Sequence, residues 1–79
     1  MTREEKLRAR YFRLYRAANR ADNVFSHRLQ REYGKRAGDM RYAPASKRSK
    51  EVNKAAETWK KIVSEMHNAY AAWKKVSKV

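Results

Sequence analysis

Apolar residues recur along the first part of the chain with the period of an α-helix. Alternate gaps of four and three positions separate Leu7, Tyr11, Leu14, Ala18 and Ala21. This spacing places all of them on one face of a helix. Thr2 and Glu5 form the T-x-x-E pattern of a capping box, which predicts that the helix begins at residue 3. The opposite face is basic and consists of Arg3, Lys6, Arg10, Arg13, Arg16 and Arg20.

The pattern allows two positions for the end of this first helix. Asp22 and Asn23 favour turns and N-caps over helix interiors, so we predict a break near 22–25 followed by a second helix. The apolar face of that second helix comprises Leu29, Tyr33, Ala37 and Met40. The alternative is that the first stripe runs on through Phe25 and gives one long helix to Tyr33.

Two glycines lie inside the predicted second helix, and each costs about 1 kcal/mol relative to Ala in a helix interior. One interpretation is that the helix is short and ends at Gly34, which then follows its C-cap. The interpretation that we adopt is that Gly34, Ala37 and Gly38 form a shallow groove where another group packs closely.

Pro44 marks a clear loop over 42–46, because proline excludes the helical conformation from the residue before it. Ser46 and Ser49 are both suitable N-caps for a third helix. Its apolar stripe is Val52, Ala56, Trp59, Val63, Met66, Tyr70 and Trp73. The predicted helices lie near 3–21, 26–41 and 47–77. The pattern therefore predicts an all-α fold, an antiparallel three-helix bundle that forms a single domain over 1–79.

The net charge of +13 on 79 residues indicates an acidic partner, such as nucleic acid, an anionic membrane surface or an acidic protein. No apolar run is long enough to predict a membrane span. The first helix is rich in Arg, as in mitochondrial import signals. Because Glu4 and Glu5 are atypical of such signals and core residues begin at once, we expect no cleaved presequence.

Catalytic chemistry finds little support in the sequence. Cys is absent, which excludes disulfides, thiolate metal sites and cysteine nucleophiles. His27 and His67 lie on different predicted helices without a Cys or carboxylate at ligand spacing, so both are interpreted as surface residues. Trp59 and Trp73 are two heptads apart, which core packing explains. We therefore predict a protein that is not an enzyme and has neither a metal nor a cofactor of its own.

A further pattern lies in the first helix, where Leu14-Tyr15-Arg16 is followed by Arg20 and Phe25. This pattern resembles the signature of the LYR-motif proteins of mitochondria, which are small three-helix adaptors. The resemblance extends more weakly to Arg31-Glu32-Tyr33 and to Val52-Asn53-Lys54-Ala55, and so covers residues 3 to about 73. The chain departs from the family in the two glycines of its second helix, which is usually richer in large apolar residues.

The resemblance implies a partner and a binding mode. The partner is the mitochondrial acyl carrier protein, a small acidic protein whose 4′-phosphopantetheine arm carries a fatty acyl chain. In complexes of the family that chain enters the three-helix core. The expected carrier contacts are Arg13, Leu14, Tyr15, Arg16, Arg20, Phe25, Arg41 and Lys47. The expected acyl-chain channel is lined by Ala18, Phe25, Leu29, Tyr33, Ala37, Gly38, Ala55, Ala56 and Trp59, where small residues leave room for an alkyl chain.

The resemblance thus implies a non-enzymatic adaptor in the mitochondrion, in the matrix or on the matrix side of the inner membrane. It would be an accessory subunit or assembly factor of a respiratory complex, of the mitochondrial ribosome or of the iron–sulfur machinery, and the sequence does not choose among them. The alternative is a small basic helical nucleic-acid-binding protein. Charge and length support that alternative, although no DNA- or RNA-binding signature is present. The two can combine, since a ribosome-associated member would contact RNA.

Overall fold

The computed structural model describes residues 1–77, which form a helical hairpin without any strand. Its two long helices, α1 (Arg3–Tyr33) and α3 (Lys50–Ser77), pack against each other along an elongated body of 47 × 18 × 18 Å. The connection between them holds a 3₁₀ turn (Gly34–Arg36), the short helix α2 (Ala37–Arg41) and a second 3₁₀ turn (Ala45–Lys47). The predicted all-α class is confirmed.

Helix α1 begins as predicted and then continues past the predicted break. The Thr2 hydroxyl oxygen accepts a hydrogen bond from the Glu5 N–H, at 3.2 Å, which caps the first turn. The prediction of a break near 22–25 is wrong, and the alternative of one long helix to Tyr33 is confirmed. The physical reason is burial of Phe25 and Leu29, which contributes about 1.5–3 kcal/mol each. That gain exceeds the helix-propensity cost of an Asp and an Asn, which is below about 0.7 kcal/mol each.

Helix α1 ends at Tyr33 and Gly34 follows it, so the interpretation of this glycine as the residue beyond the helix end is confirmed. Its φ of +53° is a conformation that residues with a Cβ rarely adopt, and its N–H donates to the carbonyl of Gln30. The interpretation of Gly34, Ala37 and Gly38 as a shallow groove for another group stays a prediction, because nothing in residues 1–77 itself packs against either glycine. Apart from the adjoining backbone, no atom of residues 1–77 lies within 4 Å of the position that a Cβ would occupy at either glycine.

The prediction of a second helix over 26–41 is also wrong. Only Ala37–Arg41 forms a separate helix, because residues before Gly34 belong to α1. This short helix lies against the long pair and buries Ala37 and Met40. The predicted three-helix bundle is therefore a two-helix hairpin in which the third element is only five residues long.

The long C-terminal helix confirms the prediction for residues 47–77 to within three residues. Of the two candidate caps, Ser49 is the one used. Its hydroxyl accepts a hydrogen bond from the Val52 N–H at 3.2 Å, and its carbonyl accepts one from the Asn53 N–H at 3.0 Å. The Ser49 N–H donates to the hydroxyl of Tyr33 at 2.9 Å. The start of α3 is thereby fixed to the end of α1.

The core lies in the half of the hairpin that contains the connection. It consists of Phe25, Leu29, Ala37, Met40, Val52, Ala55 and Ala56, with Tyr33, Ala43 and Trp59 packed against it. We call residues 22–60 the closed half. We call residues 3–21 together with residues 61–77 the open half, where the buried residues are Ala18 and Ala69.

Candidate functional site

A one-sign surface runs along α1 in the open half. Between Lys6 and Arg20 the chain contains no Asp and no Glu. At about 1.5 Å per residue this stretch is about 21 Å long. Its six basic residues are all exposed, and we call them the basic segment: Lys6, Arg8, Arg10, Arg13, Arg16 and Arg20.

Elsewhere in the described chain, many basic residues have acidic neighbours. Among residues 1–77 there are two ion pairs, Arg28 with Glu51 at 2.9 Å and Arg41 with Asp22, and both lie in the closed half. The lysines of α3 up to Lys61 alternate with acidic residues at Glu51, Glu57 and Glu65. A mixed surface of this kind is what solubility requires. The basic segment differs in holding six basic residues in one stretch without an acid, more than any other acid-free stretch of the chain, which points to an anionic ligand.

Five aromatic rings meet within the open half, and we call them the aromatic patch: Tyr11, Phe12, Tyr15, Tyr70 and Trp73. The antiparallel hairpin brings the two ends of the sequence together, so that the Tyr11 ring lies 5.3 Å from that of Tyr70 and 5.8 Å from that of Trp73. Three of the rings are well exposed, and Tyr11 and Trp73 are half-buried. Phe12 is 41% exposed, Tyr15 46% and Tyr70 41%.

Cationic side chains lie over two of the three exposed rings of the patch. The guanidinium carbon of Arg8 is 5.9 Å from the centre of the Phe12 ring, and the Lys74 Nζ is 5.6 Å from that of Tyr70. Within the patch, the indole Nε1 of Trp73 is buried without a hydrogen-bond partner among residues 1–77. The open half therefore combines uncompensated positive charge with accessible aromatic surface.

Cation–aromatic contacts in the closed half have a structural role. The Arg41 guanidinium lies 4.8 Å from the ring centre of Phe25 and 4.9 Å from that of Trp59. It also pairs with Asp22 and donates a hydrogen bond to the Ser26 hydroxyl at 3.2 Å. It thereby connects α2 to both long helices.

The neighbouring Arg48 extends these contacts along the connection. Its Nη1 donates to the Arg41 carbonyl and its Nε to the Asn53 side chain, both at 3.0 Å. These contacts hold the connection over one end of the core.

The residues expected to contact a carrier protein fall into two groups. Arg13, Leu14, Tyr15, Arg16 and Arg20 lie together in the open half, where Leu14 is half-buried and the others are exposed. The remaining three lie apart from that surface. Phe25 is 1% exposed in the core, the Arg41 guanidinium is engaged within the chain, and Lys47 is exposed in the connection.

Most residues expected to line an acyl-chain channel do come together. The core contains five of them, Phe25, Leu29, Ala37, Ala55 and Ala56, and two more, Tyr33 and Trp59, pack against it. Ala18 is buried nearer the N-terminus of α1, in the open half. Gly38 does not join them, because it is exposed on the short helix. The centre is occupied by the chain's own side chains, with Phe25 at 1% and Val52 at 0% exposure.

Sequence reasoning missed the aromatic patch. Trp73 was interpreted as core and Tyr15 as a contact residue for a carrier protein, and Phe12 was not singled out. The signal was present, since aromatic residues cluster near both ends of a chain whose ends must meet in an antiparallel hairpin. The interpretation of His27 and His67 as surface residues is confirmed. Within the described residues, no group of His, Asp or Glu side chains is suited to hold a metal ion.

Comparisons with known proteins give no further lead: no family model, curated protein or solved structure matches this chain. None of the helices in residues 1–77 is long and apolar enough to cross a membrane.

Proposed function

We propose that this chain is a non-enzymatic nucleic-acid-binding protein that holds the phosphate backbone along the basic segment. The observation that carries the proposal is the run from Lys6 to Arg20, with six exposed basic side chains and no acid. Five of these side chains are Arg. The guanidinium group binds phosphate oxygens through two parallel hydrogen bonds. The ammonium group of lysine does not offer this geometry.

The dimensions of the segment suit a polyanion rather than a single small anion. Six charges spread over about 21 Å of helix cannot converge on one phosphate group. A nucleic-acid strand instead presents phosphates at repeated intervals along its length. Contacts to the backbone alone would give affinity without sequence specificity.

The test of this proposal is the salt dependence of binding. Each phosphate contact contributes about 0.7–0.9 to the slope of log affinity against log salt concentration, so six contacts predict a slope of about −4 to −5. Fluorescence anisotropy with labelled oligonucleotides, single-stranded and duplex, measures it directly. An absence of binding at low salt, or an affinity that does not change with salt, would contradict the proposal.

A second candidate is the LYR-type adaptor for mitochondrial acyl carrier protein. The observation that favours it is the position of Tyr15, Arg16 and Arg20, which lie exposed along α1 beside the half-buried Leu14. An arginine surface also fits acidic side chains of a carrier. This candidate needs the family's three-helix arrangement, and hence a rearrangement of residues 22–41 on binding that opens the core to an acylated phosphopantetheine arm.

Co-expression with a mitochondrial acyl carrier protein, followed by intact mass spectrometry of the purified complex, tests the second candidate. The adaptor should retain the acylated carrier in preference to the unacylated one. The Arg16→Glu, Arg20→Glu variant should lose the carrier while keeping its helicity by circular dichroism. Binding of an inserted acyl chain includes an apolar contribution that salt does not screen, whereas nucleic-acid binding loses affinity steeply as salt rises. Equal binding of the two carrier forms would rule out acyl insertion.

A further inference from the structure

We infer that the aromatic patch is a base-stacking surface, which makes single-stranded nucleic acid the preferred ligand; this inference rests on the proposed function. The exposed rings of Phe12, Tyr15 and Tyr70 lie in the same half of the hairpin as the basic segment. Proteins that bind single strands combine a basic surface for the backbone with aromatic rings on which bases stack.

The patch has the accessibility that stacking requires. Tyr11 and Trp73 form its base, with ring centres 5.8 Å apart, and the three rings around them are 41–46% exposed. The packed base holds the outer rings in place, so little conformational freedom is lost when a nucleobase stacks on one of them. Contiguous exposed apolar surface is typical of interaction sites on soluble proteins.

Charge decides among the possible occupants of the patch. The Arg8 guanidinium carbon lies 5.9 Å from the Phe12 ring centre and the Lys74 Nζ 5.6 Å from that of Tyr70. A second copy docked on the patch would bring these cations close to their own counterparts. A nucleic-acid strand supplies the opposite charge together with planar bases.

The same geometry discriminates between single strands and duplexes. Bases in a duplex are stacked on one another and expose only their edges in the grooves. A single strand can direct its bases onto the aromatic patch while its phosphates contact the basic segment. A duplex would gain the phosphate contacts alone, and its affinity should be correspondingly lower.

The experiment compares tyrosine variants within the full chain. Tyr15→Leu combined with Tyr70→Leu removes two stacking rings and keeps apolar side chains in place. Tyr42→Leu is the matched control, because Tyr42 is 87% exposed and lies in the connection, away from the patch. Anisotropy titrations use oligothymidine, oligouridine and a duplex of the same length, with circular dichroism to verify that each variant is folded.

For the double variant we expect single-strand affinity to fall by about a hundredfold, or about tenfold per ring, with duplex affinity unchanged. The control should match the unmodified chain. In a Trp59→Phe background, single strands should also quench the fluorescence of Trp73.

Each other outcome has a distinct meaning. If the unmodified chain binds single strands and duplexes equally, or the patch variant binds like the control, the stacking inference is wrong while the proposed function stands. If sedimentation shows a dimer that the patch variant dissociates, the occupant is a second copy and the inference is overturned. If the unmodified chain binds no oligonucleotide, the proposed function itself fails.

Discussion

The two halves of this hairpin are built on the same pair of helices and yet differ in what they bury. In the closed half, Phe25 and Val52 are almost fully buried beneath the short helix α2. In the open half, the buried residues are Ala18 and Ala69, while large rings such as Phe12 remain accessible. The apolar stripe of α1 runs through both halves with the same period. A third packed element, present in only one half, makes the difference.

This comparison shows why an amphipathic stripe alone does not define a core. Two helices packed side by side enclose only the residues on the line between them. Residues to either side of that line need cover from another element, and α2 supplies it for the closed half. The open half keeps its uncovered rings next to uncompensated charge, which is why we place the function there.

The largest expected difference between the halves concerns core stability. Phe25→Ala should lower the free energy of unfolding by about 3–5 kcal/mol, because a fully buried ring leaves a cavity. Phe12→Ala, which removes a ring that is 41% exposed, should cost only about 1 kcal/mol. Urea unfolding followed by circular dichroism measures both. Equal losses would mean that the open half also has a closed core.

A smaller effect is expected at the two glycines. Gly34→Ala should destabilise the chain by about 1–2 kcal/mol, because its φ of +53° is strained for any residue with a Cβ. Gly38→Ala should be neutral or stabilise by about 0.5–1 kcal/mol, since its Cβ would meet open space in a short helix. Thermal melts of the two variants test this. A loss at Gly38 as large as that at Gly34 would indicate close packing that the structure does not show.

The smallest effect concerns the contacts that hold α2 in place. Asp22→Ala removes the ion-pair partner of Arg41, whose guanidinium stacks on Phe25 and Trp59, and should cost about 1 kcal/mol. Glu51→Ala breaks the more exposed pair with Arg28 and should cost less than about 0.5 kcal/mol. Chemical denaturation at low and high salt compares them. A larger loss for Glu51→Ala would mean that the exposed pair of Arg28 and Glu51 stabilises the chain more than the pair that holds α2, which contradicts this account.

Much of the local structure was predictable from the sequence because it depends on local signals. The Thr2 cap, the loop at Pro44 and the Ser49 cap each follow from residues a few positions apart. The end of α1 could not be predicted from such local signals. Asp22 and Asn23 gave a local signal for a turn, and long-range burial of Phe25 against Trp59 overrode it.

The candidate site was predictable only in part, for the same reason. The basic face of the first helix is visible in the sequence because its members share a helical period. The aromatic patch joins Tyr11 and Phe12 to Tyr70 and Trp73, and that contact exists only once the hairpin has formed. Arg41 shows the converse. Its charge made it a candidate contact residue, while the fold engages it with Asp22 and two aromatic rings.

The most direct test of the central claim compares two charge reversals that change the net charge equally. Arg16→Glu with Arg20→Glu alters the basic segment, and Lys54→Glu with Lys61→Glu alters the mixed surface of α3. We predict that the first variant loses at least about tenfold in affinity for single-stranded oligonucleotides and that its salt slope falls by about 2. The second should lose much less. Equal losses would show that net charge, and not the acid-free surface of α1, accounts for binding.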